Sequence, residues 1–421
     1  MNVQSLVAVA VFLVVYSLII TEKVHRTVAA MAGASVLLLT GILPWSSAKG
    51  YIDLDTILLL AGMMVVVNVA KDSGMFEYVA IKTAKLAGGN PIRVLLLFSG
   101  VTAVVSAFLD NVTTVLLLTP MLIYITRRMD VDPAPFLLSE VFASNIGGTA
   151  TLIGDPPNIM IGSAAKLSFN DFIENMAPIA LITLGVTIAL IFLFYRRSFS
   201  SAKRGNVMLI DEGEAIKDTK LLKKSVVVLS FVIFAFFFHD VLGIEPAAVA
   251  LIGASILLLW SGVSPEEALG KVEWATLFFF GGLFILVGGL VQTGVIDRLA
   301  NVVTSSVHSE AQAIVMISGF SAAASAVVDN IPFTATMIPL IKAMGTQFNT
   351  YPLWWALSLG ACLGGNGTAI GASANVVVLG IAYREGIRIT FKDFLKVGLV
   401  VMVSTVGVGT LLLLIRYGGL I

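Results

Sequence analysis

Apolar runs of about 15 to 20 residues recur from Ser5 to the C-terminus of this 421-residue chain. As a helix, each run is long enough to cross about 30 Å of hydrocarbon. A soluble fold would have to wrap these runs in a polar exterior, with roughly a quarter of its residues charged. Here 12% are charged, and the mean hydropathy is +0.97. The chain therefore reads as an all-α polytopic membrane protein. Its first run is preceded by no basic residue and followed by TEKVHR, not a small-residue cleavage site, so it reads as a retained span.

Several function classes drop out at once. Basic and acidic residues balance at 26 each, so no basic tail marks a nucleic-acid partner. The single cysteine, Cys362, excludes a disulfide framework and a multi-thiolate metal site within the chain, and it reads as a small packing residue. His25, His239 and His308 lie far apart near the ends of apolar runs, which suits interfaces or loops better than metal ligation. Phenylalanine-rich stretches such as FAFFFHD (Phe234–Asp240) read as lipid-facing or packing surface. No cofactor site, phosphate loop or catalytic triad is evident, and no His, Cys or Ser dyad suggests an enzyme. Any transport must be driven by an ion gradient or be passive.

The chain is also a duplicate of itself. GASVLLLTG from Gly33 matches GASILLLWSG from Gly253, and DLDTILLLAGM from Asp53 matches EWATLFFFGGL from Glu273. SAFLDNVTTVLLLTP from Ser106 matches SAVVDNIPFTATMIP from Ser325, and GGTATLIGDPPN from Gly147 matches GGNGTAIGASAN from Gly364. LSFNDF from Leu167 matches ITFKDF from Ile389, and the offset stays between 217 and 222 throughout. Matches that keep their order over nearly the whole chain mark an internal repeat.

Residues 1–196 form the first repeat, 197–223 a polar cytoplasmic linker and 224–421 the second repeat. Each repeat holds five spans, the fourth interrupted by Gly, Thr, Asn or Pro at about 136–165 and 354–381. Before each broken span, two apolar stretches meet at an Asp-Asn pair, which predicts re-entrant hairpins at about 94–126 and 312–342. An odd number of crossings per repeat turns the second upside down, giving about ten spans plus two hairpins. With both termini outside, cytoplasmic loops hold all the Lys and Arg except Lys49, Lys166, Arg298, Lys342 and Arg416. That bias follows the positive-inside rule and predicts a multi-pass protein of the inner (plasma) membrane with a cytoplasmic central loop. Counting each hairpin as two full spans also leaves an odd number, so only the polar tips favour hairpins.

Asp110 and Asp329 sit at those tips. A carboxylate near the bilayer centre costs about 2.5–3.5 kcal/mol on insertion scales unless something satisfies or protonates it. A symmetric pair is suited to coupling a proton or small cation. The same acids also stand where N-caps of the second hairpin arms would fall. The broken spans present irregular backbone, tolerated at membrane depth only against protein or a water-filled cavity. Thr151 with Thr368, and Asn158 with Asn375, are repeat-related polar groups there, and Asn145 and Asn366 are expected to face the same cavity. Close glycine-mediated helix packing is the alternative reading of these breaks. Asp155 has Ala372 as its counterpart. Three candidate acids, with no Lys or Arg in the inferred core, favour a cation, a proton or a neutral solute over a free di- or tricarboxylate.

At these motifs, FLDNVTTVLL with NIGGTATLIGDPPN, the sequence resembles the ion transporter superfamily over essentially its whole length, specifically the ArsB/NhaD-like permeases and their P-protein-like branch. The resemblance implies a scaffold domain and a transport domain, with substrate between hairpin tips and breaks. In this chain that means Asp110, Asn111, Thr113, Asn145, Thr149, Thr151, Asn158, Asp329, Asn330, Asn366, Thr368 and Asn375. Dicarboxylate relatives carry Ser-Asn-Thr at both tips, whereas this chain has Asp-Asn-Val-Thr and Asp-Asn-Ile-Pro. The resulting expectation is proton-coupled efflux of arsenite or antimonite by alternating access. Sodium/proton antiport is the first alternative, and an anion transporter or channel the second. The resemblance also implies the lipid bilayer as surroundings, and it is compatible with a homodimer and a cytoplasmic ATPase partner.

Overall fold

The computed structural model describes residues 2–21, 23–201 and 213–418, so part of the expected linker (202–212) lies outside the described residues. The described residues form helices without strands. Seven of these helices are long and apolar enough to cross a membrane: Val3–Thr21, Leu54–Asp72, Pro91–Phe108, Ala177–Phe199, Thr219–Leu242, Trp274–Gln292 and Phe391–Tyr417. Arg26–Leu39 and Pro246–Ser261, the second expected span of each repeat, are shorter. At 1.5 Å per residue, the 14-residue helix Arg26–Leu39 is only about 21 Å long. It falls short of the hydrocarbon thickness, which bears on where its first residue lies.

The repeats interlock. Leu54–Asp72 packs along Pro246–Ser261 of the other repeat, and Trp274–Gln292 along Arg26–Leu39. At the first crossing a Cβ on Gly62 would lie 2.8 Å from the backbone of Ala250, and at the second a Cβ on Gly282 would lie 2.9 Å from that of Ala30. Glycine is needed at both because the neighbouring backbone occupies the space. These four helices, flanked by Val3–Thr21 and Thr219–Leu242, make one layer.

Hairpins and broken helices make the other. The first arms Pro91–Phe108 and Glu310–Ser325 pack along the first halves of the broken helices, Ala134–Thr149 and Tyr351–Gly364. The second arms cross over to the other repeat: Asn111–Arg128 lies on Ser373–Arg384, and Asn330–Met344 on Pro156–Ala165. Each second arm carries an internal proline, Pro120 or Pro339, at the same repeat position. The long helices Ala177–Ser201 and Phe391–Tyr417 close this layer, with Phe142 packed edge-on against Phe394 at 5.3 Å. Helix continues through Ser201 and resumes at Thr219, so both ends of the expected linker are helical. Lys217 secures the second end through its N–H to the Ser73 carbonyl (3.0 Å) and its Nζ to Glu77 (3.1 Å).

Candidate functional site

Each broken helix is tied to its own hairpin by the same set of bonds. Ser106 donates to the Ser144 carbonyl at 2.7 Å, and Ser325 to the Ala361 carbonyl at 2.6 Å. Thr151 donates to the Ala107 carbonyl and Thr368 to the Ala326 carbonyl. Asn158 Nδ2 spans its break by donating to the carbonyls of Gly148 (3.1 Å) and Thr151 (2.9 Å). Asn375 does the same with Gly365 (2.7 Å) and Thr368 (2.8 Å). Asn158 and Asn375 therefore direct their donors at the broken backbone, and Thr151 and Thr368 at the ends of the first hairpin arms, all carbonyls that would otherwise be unmet at membrane depth. Asn158 Oδ1 is also engaged, accepting from Ser358 at 2.6 Å.

Between the breaks lies a cluster of amides. Asn111 donates to Asn145 at 3.3 Å, and Asn145 donates to Asn366 (2.9 Å) and Asn375 (3.0 Å). Asn366 Nδ2 is buried without a protein partner. Thr149 turns back onto the Asn145 carbonyl at 2.8 Å. Asn145 and Asn366 come from non-equivalent repeat positions, yet they meet in space.

The acids have separate surroundings. Asp110 accepts from the Thr113 N–H at 2.9 Å and Asp329 from the Ile331 N–H at 3.1 Å, so both cap the second arms as well as occupying the tips. Asp155 is buried and caps nothing; both of its oxygens take contacts from Asn330 Nδ2, at 3.3 and 3.1 Å. Asp329 Oδ2 accepts from Ser373 at 2.7 Å and from Arg26 Nη1 at 3.2 Å. Arg26 also donates to Ser373 at 3.0 Å and lies over the Phe279 ring at 5.3 Å.

This overturns the expectation of a core without Lys or Arg. Arg26 follows an apolar run and reads in sequence as a loop charge. It is instead the first residue of a short helix, and its side chain reaches the second hairpin tip.

A cavity of about 40 Å³ sits between the tips, lined by Arg26, Asp110, Asn111, Asp155, Glu273, Asn330 and Ser373 among others. It shares Arg26, Val112, Glu273 and Ser373 with a larger vestibule of about 410 Å³ that also reaches His25 and Asp329. A third pocket of about 260 Å³, at Asp55, Ser163, Lys166 and His239, shares no lining with the inner cavity. The inner cavity therefore adjoins the vestibule on the Arg26 side. It has room for a few waters or a small solute. Among the described residues, no three His, Cys, Asp or Glu side chains are arranged to hold a metal ion.

Arg26, Glu273 and Ser373 were not singled out from sequence. Glu273 opens a helix and reads there as a span boundary, and Ser373 lies inside the quoted break as an ordinary small residue. Thr113 contributes its backbone N–H as the cap donor to Asp110.

The sequence profile of the CitMHS citrate transporters matches residues 16–360. The chain belongs to that family. An uncharacterized transporter of Mycobacterium tuberculosis is 46% identical, with 98% of this chain and 99% of the relative aligned. The 46 kDa membrane protein of Mycobacterium leprae is 45% identical over the same shares. The human P protein is 34% identical over 98% of this chain, which spans 60% of that longer protein. The YdaH transporter of Alcanivorax borkumensis superposes with a TM-score of 0.64 over 99% of both chains at 14% identity, a likeness of fold. The protein is thus a membrane transporter of the CitMHS family, related to the P protein.

Proposed function

We propose that the protein is a proton-coupled secondary transporter, working by alternating access, that exports a small uncharged hydroxyl-rich solute, with arsenous or antimonous acid the first candidates. The observation that carries this reading is the composition of the cavity. Among the described residues, Asp110, Asp155 and Glu273 line it with Arg26 as the one cation, and Asp329 stands behind Arg26. A free tricarboxylate would meet carboxylates on several sides and lose its own hydration, so the family's citrate fits poorly here. A neutral trihydroxy solute both donates and accepts, which suits carboxylates interleaved with Asn111, Asn330 and Ser373. Asp110, Asp155 and Asp329 would exchange the coupling protons. Asn145, Thr149, Thr151, Asn158, Asn366, Thr368 and Asn375 would hold the amide cluster and breaks in shape around the solute.

The positive-inside pattern puts the Arg26 side in the cytoplasm, so the vestibule would load solute from there. The two layers meet through polar contacts that can break and re-form: Arg26 with Asp329, Ser163 with Asp53 (2.9 Å), and Tyr16 with Thr336 (2.7 Å). That is what hairpins moving against a scaffold require.

Sodium/proton antiport is the second reading, favoured by the small acid-lined volume. Thermal unfolding of the purified protein separates the two. A ligand at about 100 times its Kd stabilises by about 2.7 kcal/mol. Arsenite is expected to raise the melting temperature at neutral pH, and citrate is expected to leave it unchanged. A shift with sodium alone would support the second reading, and a shift with citrate alone would refute both.

A further inference from the structure

Glu140 lies in Ala134–Thr149, outside both cavities that meet at the hairpin tips, and is 1% exposed. Its Oε2 accepts from Thr119 Oγ1 at 3.0 Å, and its Oε1 is buried with no partner. Around it is an apolar cluster that includes Leu122, Leu137, Val141 and Phe142.

The repeat supplies a control for what this position needs. Pro120 matches Pro339 and Gly147 matches Gly364, which places Ile338 opposite Thr119 and Leu357 opposite Glu140. Leu357 is fully buried in the second repeat. The same packing between hairpin and broken helix is thus built with an apolar pair, and the fold does not require the acid.

A buried carboxylate with one donor and one bare oxygen is costly in the ionised form. The charged groups on the elements packed against it lie at helix ends. Arg93 opens the first arm, and Asp110 caps the second. At the far end of the second arm Arg127 pairs with Glu385 (2.7 Å), and Arg128 bonds Tyr124 (3.0 Å). Tyr195, Arg196 and Arg197 lie in the last two turns of the long helix, at its kink, while Arg384 ends the second broken helix. Cys362 in that broken helix contacts Asn158. Among the described bonds to Glu140, Thr119 is the donor. A hydroxyl can donate to a carboxylate or accept from a carboxylic acid by turning its proton. One contact therefore serves both states.

We propose that Glu140 is a proton-binding site within the hairpin layer, separate from the cavity acids, and that it takes up and releases a proton as the transporter cycles. The cycling part rests on the proton-coupled reading above. Thr119 stands eight residues beyond Asn111, about 12 Å along the arm, so this proton is held away from the solute.

Infrared difference spectra of the protein in lipid, recorded between acidic and alkaline pH, test the binding directly. The wild type is expected to show a carbonyl band of a neutral carboxylic acid that disappears in E140Q and in E140L, the latter copying Leu357. An unchanged band in both variants would overturn the site. Proton-to-solute counting in vesicles tests the cycle, with E140Q expected to move fewer protons per solute. Loss of the band with an unchanged count would overturn the cycling role. Loss of the band with no solute exchange in the wild type would uphold the site and reject the transport reading instead.

Discussion

Asp155→Asn protein will insert and unfold as the wild type does, yet its gradient-driven transport will fall by at least about tenfold. Hydrogen bonds to a charged group contribute about 1.5–3 kcal/mol, and each 1.4 kcal/mol is a factor of ten. An amide at this position can also no longer exchange a proton. The prediction of intact folding comes from the repeat. Asp155 has φ −145° and ψ 135°, and its counterpart Ala372 has φ −147° and ψ 145°. Neither side chain caps the half-helix that follows. The break is thus formed equally well with a methyl group, and the carboxylate lines the inner cavity with Asn330. Melting curves in detergent and vesicle uptake measured on one preparation check both halves. Wild-type uptake by Asp155→Asn would remove this acid from the mechanism.

Gly147→Val and Gly364→Val will have the opposite signature, a loss of folded protein. A Cβ at Gly147 would lie 2.2 Å from the Ala103 carbonyl oxygen, and one at Gly364 would lie 2.6 Å from the Ala322 Cα. Both obstacles are backbone of the first hairpin arm, which cannot turn aside as a long side chain can. Overpacking of this kind costs about 1–3 kcal/mol or more, a large share of a typical folding stability of about 5–15 kcal/mol. Reduced yield of monodisperse protein and a lower melting temperature are expected for each. Gly100→Val, where a Cβ would meet open space, should change neither.

Much of this architecture could be read from the chain because a duplicated sequence constrains itself. The Asp-Asn tips, the glycine breaks and the offset of the two halves each occur twice, so a helix boundary in one repeat checks the other. Polarity within an apolar run was equally informative at Asp110 and Asp329. The same signal was available at Glu140, a lone acid in PFLLSEVFA, and its absence from the second repeat, at Leu357, made it easy to pass over.

Arg26 was less legible. Its role depends on a short helix that draws a terminal residue inward and on a tip 303 positions away along the chain. No periodicity encodes that contact. From sequence, the polar residues of the breaks are assigned to the solute, because residue type and spacing do not distinguish a donor aimed at solute from one aimed at backbone. Thr151, Thr368, Asn158 and Asn375 are the side chains nearest in sequence to the interrupted carbonyls, and their donors go to backbone. The side chains that line the inner cavity come instead from the hairpin tips, the ends of the breaks and the layer of crossed helices.

In the proposed mechanism, solute moves in exchange for protons through the acid-lined cavity. Inside-out vesicles containing the protein, given trivalent arsenic with and without an imposed proton gradient, test it most directly. Accumulation is expected to depend on the gradient and to be absent from vesicles carrying Asp155→Asn. Arsenic uptake that ignores the gradient, or gradient-driven uptake of citrate in its place, would contradict it.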